Sequence, residues 1–279
     1  MKRLVLCVSI AIITAISYQY VTANESGEST VHVTTNYVTD IDGYINGMYG
    51  SIDFGNGNRP DSVVFRSAVY GYLNLLDAGK LANPDILTIC DFSKSSAEKR
   101  MWVIDLAARK VLINDLVAHG QGSGLEYATQ FSNRANSHQS SLGFYVTDAP
   151  YIGGHGKSLR LRGMDNGFNS AAYERDVVVH GADYVSNDFV ASQNRLGRSW
   201  GCPAVSNKIA SELIDRIQGG SCLFIYYPSQ KYLSATRWLK GQPDMATIAA
   251  NAPVFKEATD TVIVYESEEL KQRLTNNRL

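Results

Sequence analysis

Seven short apolar or β-branched runs, each closed by turn residues, constrain this chain more than any other feature. They cover residues 85–91, 101–106, 111–119, 142–147, 158–161, 176–180 and 221–227. Runs of that length bounded by Gly, Asp, Asn or Ser are strand signals. The segment AARK at 107–110 reads as the turn of a hairpin between two of them. Only two stretches carry a firm helical period. Over 61–79, Val64, Phe65, Ala68, Val69, Tyr72, Leu73 and Leu76 share a face, with Asp61 or Ser62 to cap the start and Gly79 to end it. Over 206–218, Ile209, Leu213 and Ile217 point inward, between a Ser206 cap and a Gly219 stop. Many short strands with few helices predict a mainly β fold with a few helices, a sandwich or barrel. Residues 24–60 are polar and without period and read as an irregular lead-in. Past Pro228 a helix is expected over 233–239, a strand over 261–265 and a charged, helix-like end. No internal repeat is present.

The N-terminus reads as a secretory signal over 1–23. Lys2 and Arg3 form the charged region, 4–16 the apolar region, and Val21-Thr22-Ala23 the small residues before a cut ahead of Asn24. The apolar run is shorter than the roughly 20 residues a spanning helix needs, which favours cleavage over an anchor. Cys7 comes too early for a lipoprotein box. These features predict export to the periplasm or cell envelope, with no stable membrane span after cleavage. Net charge is −1, and losing Lys2 and Arg3 takes it to about −3. That balance excludes nucleic acid as the main partner. The expected organisation is 1–23 signal, 24–83 lead-in with one helix, 84–228 main domain and 229–279 extension. Oligomeric state is not legible.

Cys90, Cys202 and Cys222 remain after cleavage, an odd number for an oxidising compartment, so at least one is unpaired within the chain. Cys90 in ILTIC and Cys222 in SCLFIYY sit in apolar runs and read as buried thiols. Cys202, in GRSWGCPAV, is the polar, exposed one.

His180 ends the run DVVVH and precedes Gly181, and Cys202 follows 22 positions later. A thiol becomes nucleophilic as the thiolate, and an imidazole can take its proton. The ring needs an orienter, and the Gly181 carbonyl can accept its other N–H. Gly201 removes side-chain bulk, so the Gly201 and Cys202 amides can form an oxyanion hole. The remaining histidines have blander readings. His119 ends a strand in VAHG, His138 lies in a polar loop, and His155 sits in GGHGKS, where its glycines let a ligand approach. No CxxC or HExxH spacing supports a zinc site of His119, His155, His180 and Cys202, so neither metal nor cofactor is expected. GGHGKS lacks phosphate-loop spacing.

VVVHGADYV followed by GRSWGCPAV resembles the signature of the L,D-transpeptidase (YkuD-like) catalytic family, and more closely its murein L,D-transpeptidase catalytic domain subgroup. The likeness runs in order through ILTICDFS, VIDL, VAHG, SSLGFY, HGKSLRL and GSCLFIYY, roughly half the chain. The resemblance implies a β-rich sandwich-like fold and work on peptidoglycan stem peptides. It makes Cys202 the nucleophile, His180 the base, Gly181 the orienter, Ser199 the motif serine and Gly201 the residue before the nucleophile. The implied reaction attacks a tetrapeptide stem, expels the terminal D-alanine, and passes the thioester to an amine, giving a 3→3 cross-link, or to water. Two positions depart from the family pattern. Trp200 stands where most members have a second histidine, and Pro203-Ala204 stands where an arginine is usual two positions after the cysteine. Carboxylate binding then falls to another base: Arg160, Arg162, Arg195 or Arg198, with His155 as a further groove residue. Sortase-like enzymes need an arginine on a strand after the cysteine, and papain-like ones reverse the Cys–His order. A wall-binding protein that has lost activity is the rival from outside enzymology.

Overall fold

The structure is a computed structural model that describes residues 41–244 and 246–248 in full, and the backbone of 14–23 and 29–37. The charged end and most of the apolar run of the expected signal, and the strand and helix expected beyond 260, lie outside the described residues. Strand β1 (Thr14–Ala23) pairs antiparallel with β2 (Ser29–Tyr37) in a small sheet of its own.

Eight strands form the main sheet: β3 (Ile86–Asp91), β4 (Met101–Asp105), β5 (Lys110–Asp115), β6 (Gly143–Gly153), β7 (Gly156–Gly163), β8 (Val178–Ala182), β9 (Ala204–Ser206) and β10 (Cys222–Tyr226). Their order across the sheet is β5-β4-β3-β10-β6-β7-β8-β9. Two pairs are parallel, β10 with β3 and β8 with β9; the rest are antiparallel. The mainly β architecture matches the sequence reading, and every apolar run falls on a strand or at its edge.

The strands β6 and β7 are longer than their apolar cores. Each continues into a hairpin that turns at Gly154-His155, with a register shift between Thr147 and Pro150. A proline cannot donate to a ladder, so the shift marks where regular pairing breaks.

Helix α2 (Ser62–Asp77) lies over β3 and β10, capped by Asp61, whose side chain accepts from Val63 N–H. Gly71 is a glycine because the Phe144 ring occupies the place of a side chain there. Phe144 in turn stacks on Phe224, its partner across the β6–β10 ladder. Helix α1 (Ile41–Ser51) is a departure from the expected irregular lead-in. Gly43, Gly47 and Gly50 lower its propensity. Burial of Tyr44, Ile45 and Met48 in the core overrides that. Helix α3 (Asn187–Gln193) was also not legible: it is short, buries no side chain and is held by its Ser186 cap. Helix α4 (Asn207–Ile217) packs on β7, β8 and β9. Its cap position is Ser206, as expected, though the Ser206 side chain makes no capping bond.

After β10 the chain stays on the core. Helix α5 (Gln230–Leu233) and a 3-10 turn at Arg237–Leu239 replace the single helix expected over 233–239. Tyr232 and Trp238 are buried. Asp165, itself buried, accepts from Phe144 N–H, Tyr232 Oη and Thr236 Oγ1, and so ties this segment to β6. Among the described residues no helix is long and apolar enough to cross a membrane.

Candidate active site

The parallel pair β8–β9 sets the site. His180 on β8 faces Ala204 on β9, so Cys202 falls two residues upstream on the neighbouring strand's line. Strand spacing of about 4.8 Å and rise of about 3.3 Å per residue then leave the two backbones roughly 8 Å apart. Cys202 Sγ accepts from Val178 N–H at 3.5 Å, and its S–H is directed at Asp176 O, 3.6 Å away. Among the described residues no hydrogen bond joins Sγ to the His180 ring.

His180 is almost fully buried. Its Nδ1 lies 2.8 Å from Gly181 O. A carbonyl only accepts, so Nδ1 carries the proton and Nε2 presents a lone pair. Burial holds the ring's pKa below the ordinary imidazole value, repulsion from His155 adds to this, and the Gly181 bond opposes it. The ring is therefore a neutral base at neutral pH. Gly181 has no room for a side chain, because Asn207 and Ala210 of α4 press against it. His155, at the β6–β7 turn, stacks on His180 with centroids 4.4 Å apart and planes 25° off parallel.

The loop bearing Cys202 is braced from inside. Ser199 Oγ donates to Cys202 O at 2.6 Å and accepts from Gly201 N–H at 3.1 Å. The Gly201 amide is thus committed, and the expected Gly201–Cys202 amide pair is reduced to one. Cys202 N–H has no acceptor among the described residues. Gly201 adopts φ +123°, a region open to glycine. A Cβ there would lie 2.8 Å from Gln139 O. Gln139 belongs to the long polar segment 120–141, which folds against the Cys202 loop. Ser140 Oγ accepts from Gly120 N–H at 2.9 Å and donates to Gly201 O at 3.1 Å. Gly120 and Gly201 meet backbone to backbone.

Trp200 is 73% exposed. It stacks on His138 at 4.9 Å, nearly parallel, and His138 Nδ1 accepts from Gln121 Nε2. His119 is fully buried; its Nδ1 accepts from Arg100 Nη2 at 2.8 Å, and Nε2–H points to Gly124 O. Burial and the Arg100 charge push its pKa down to about 3, so it is a neutral structural ring.

Of the bases expected near the substrate, Arg160 pairs with Asp176 and lies over the rings of Tyr151 and Tyr173. Arg162 pairs with Asp148, Arg195 donates to Leu196 O, and Arg198 donates to Gly124 O. The cation that acts on Cys202 is a residue sequence reasoning passed over, Arg175, which pulls the thiol pKa down. It lies in ERD, just ahead of VVVH, and nothing in that triplet signals its destination. Burial nevertheless outweighs Arg175 and the Val178 bond, and Cys202 sits above the usual thiol value. The resting thiol is protonated. Cys90 and Cys222 are free and buried, so no Cys90–Cys222 disulfide forms. Among the described residues no cluster of three or more His, Cys, Asp or Glu is arranged to hold a metal.

The pattern model of the L,D-transpeptidase catalytic domain matches residues 57–226. This chain belongs to that family. Solved structures with some likeness include an L,D-transpeptidase from Mycobacterium smegmatis (15% identity, TM-score 0.32, 51% of this chain and 59% of that one). Others are L,D-transpeptidase 1 from Mycobacterium tuberculosis (12%, 0.28, 50% and 60%) and an L,D-transpeptidase from Stackebrandtia nassauensis (11%, 0.32, 67% and 90%). The chain spans about three fifths of the length of the first of these. Superpositions this loose add nothing to the family match. No curated protein matches the chain.

Proposed function

We propose that this chain is an exported cysteine L,D-transpeptidase of the cell envelope that acts on peptidoglycan tetrapeptide stems. The observation that supports this best is a buried neutral imidazole, its tautomer fixed by Gly181 O, one strand away from the thiol of Cys202 in an L,D-transpeptidase catalytic domain. For turnover the Cys202 side chain must leave its Asp176 O contact and bring Sγ to His180 Nε2, and side-chain rotations are fast enough for this. His180 Nε2 then takes the thiol proton while Sγ attacks the carbonyl of the third stem residue. Cys202 N–H donates to the oxyanion that forms. Collapse breaks the bond to the terminal D-alanine, whose amine leaves with the proton held on Nε2. A stem amine, or water, gives its proton to Nε2 and attacks the thioester, and Sγ departs as the thiolate and is reprotonated. An amine yields the 3→3 cross-link; water yields the shortened stem.

The test is incubation of the mature protein with a disaccharide-tetrapeptide, read by mass spectrometry. Loss of D-alanine with a dimer of the 3→3 mass, both abolished in Cys202→Ala, is expected. A carbapenem should add its mass to the wild type and not to Cys202→Ala. The missing Sγ–imidazole hydrogen bond favours one second reading, a stem-peptide binder without turnover. Binding of the tetrapeptide with neither product nor adduct would decide for it.

A further inference from the structure

Arg175 is an arginine of this site that lies against the Cys202 loop without a carboxylate paired to it among the described residues. Arg160 and Arg162 each pair with a carboxylate. The Arg175 guanidinium has no carboxylate within 4.0 Å among the described residues. Its hydrogen bonds go to neutral oxygens: Nη1 to Ser132 O at 2.8 Å and Ser141 Oγ at 2.6 Å, Nη2 to Gln139 O at 2.8 Å and Ser137 Oγ at 3.3 Å. Asp176, the adjacent acid, is committed to Arg160. A partly buried cation without a counter-charge is costly to keep, and burial does lower the basicity of Arg175. The four bonds fix where the charge sits. A Cβ on Gly201 would be 3.4 Å from Nη2, so the guanidinium lies against the residue that precedes Cys202. Meanwhile Ala204, where the family resemblance expects an arginine, is fully buried and paired with His180, and no long cation fits there.

We propose that Arg175 is the electrostatic partner of Cys202, stabilising the negative charge first on Sγ and then on the oxyanion, where the Gly201 amide is already committed to Ser199. The inference rests on Cys202 being the nucleophile, as in the proposed function, and on no property of the substrate. The charge develops beside a guanidinium that has no carboxylate partner among the described residues, brought there by the segment before β8. The other groups that act on the sulfur are Asp176, which opposes a thiolate, Tyr184 and the Val178 N–H; Tyr145 acts on Arg175.

The test reads the thiol directly, by the rate of Cys202 alkylation with iodoacetamide against pH. An opposite charge a few ångströms away moves a pKa by about one unit or more, so Arg175→Gln should alkylate about tenfold more slowly near neutral pH, its profile displaced to higher pH. Arg175→Lys should recover most of that rate. A bracing role alone predicts the opposite sign, since loosening the 132–141 segment hydrates the sulfur and eases its ionisation. Unchanged or faster alkylation in Arg175→Gln, or a Lys variant as slow as the Gln variant, overturns the proposal. A second measurement needs no variant. In the wild-type protein the rate ratio of anionic iodoacetate to neutral iodoacetamide at Cys202 should exceed that of a free cysteine peptide. A ratio equal to or below the peptide's overturns the proposal even if Arg175→Gln does not fold. Neither arm uses peptidoglycan, so failure of tetrapeptide turnover leaves this result standing, and the reverse also holds.

Discussion

Acid should weaken this protein through one buried ring. His119 is enclosed between Arg100, which donates to its Nδ1, and Gly124 O, which accepts from Nε2. Protonating Nδ1 would break the first bond and set a second positive charge against a fully buried guanidinium, itself lowered to about 10 by burial. The folded ring therefore has its pKa pushed down to about 3, first by burial and then by Arg100. Unfolded, it titrates near 6.5. The unfolded chain binds the proton more tightly, so the stability is whole above about pH 6.5 and is lost as pH falls toward 3. Each pH unit in that window costs about 1.4 kcal/mol, so going from about pH 7 to about pH 4.5 removes roughly 2 to 3 kcal/mol. That is a large share of the roughly 5–15 kcal/mol that holds a domain folded. Urea unfolding followed by tryptophan fluorescence at both pH values, on the wild type and on His119→Gln, isolates the effect. Glutamine can keep the bond to Gly124 O but does not titrate, and contributions from carboxylates are shared by both proteins. The wild type should lose roughly 2 to 3 kcal/mol more than the variant. Parallel losses would refute the assignment of His119 as a buried neutral ring.

Three further outcomes are expected. In a form beginning at Asn24, alkylation near neutral pH should label one thiol, Cys202, because Cys90 is pushed up to about 12 and Cys222 higher, both by burial; mass spectrometry should count three labels only after denaturation. Gly201→Ala should cost about 1–3 kcal/mol in thermal or urea unfolding and abolish turnover, since its φ of +123° and the 2.8 Å approach to Gln139 O cannot both survive a side chain. A chain ending at Pro228 should be insoluble or unfolded by circular dichroism. Such a cut exposes the core around Tyr232 and Trp238, at about 1.5–3 kcal/mol each, and strips Asp165 of two donors.

Strand positions were legible because β-branched runs with clean turn boundaries can do little else in water. Helix α2 was legible because its apolar period spans four turns. What the sequence hid has specific causes. Helix α1 depends on burying its apolar side chains against the next helix and the core, which outweighs three glycines. The extended β6–β7 hairpin is disguised by Pro150 and by polar residues at its tip. At the site, the order His-Gly then Ser-x-Gly-Cys pointed to a strand-end His180 and a loop cysteine, while the short strand β9 that sets them side by side was not legible, and the expected Gly181 bond to His180 is present. The committed Gly201 amide was not legible, because it depends on which way Ser199 turns. Nor was Arg175, whose location is decided by the fold of segment 132–141 and not by its own neighbours.

The contact between Gly120 and Gly201 divides the Cys202 loop into a fixed half and a free half. A Cβ at Gly120 would clash with His138 O and one at Gly201 would meet Gln139 O at 2.8 Å, so neither position accepts a side chain without a backbone shift. The indole next door is exposed and stacks on His138. Position 200 can therefore change with less disturbance to the Cys202 loop than either glycine.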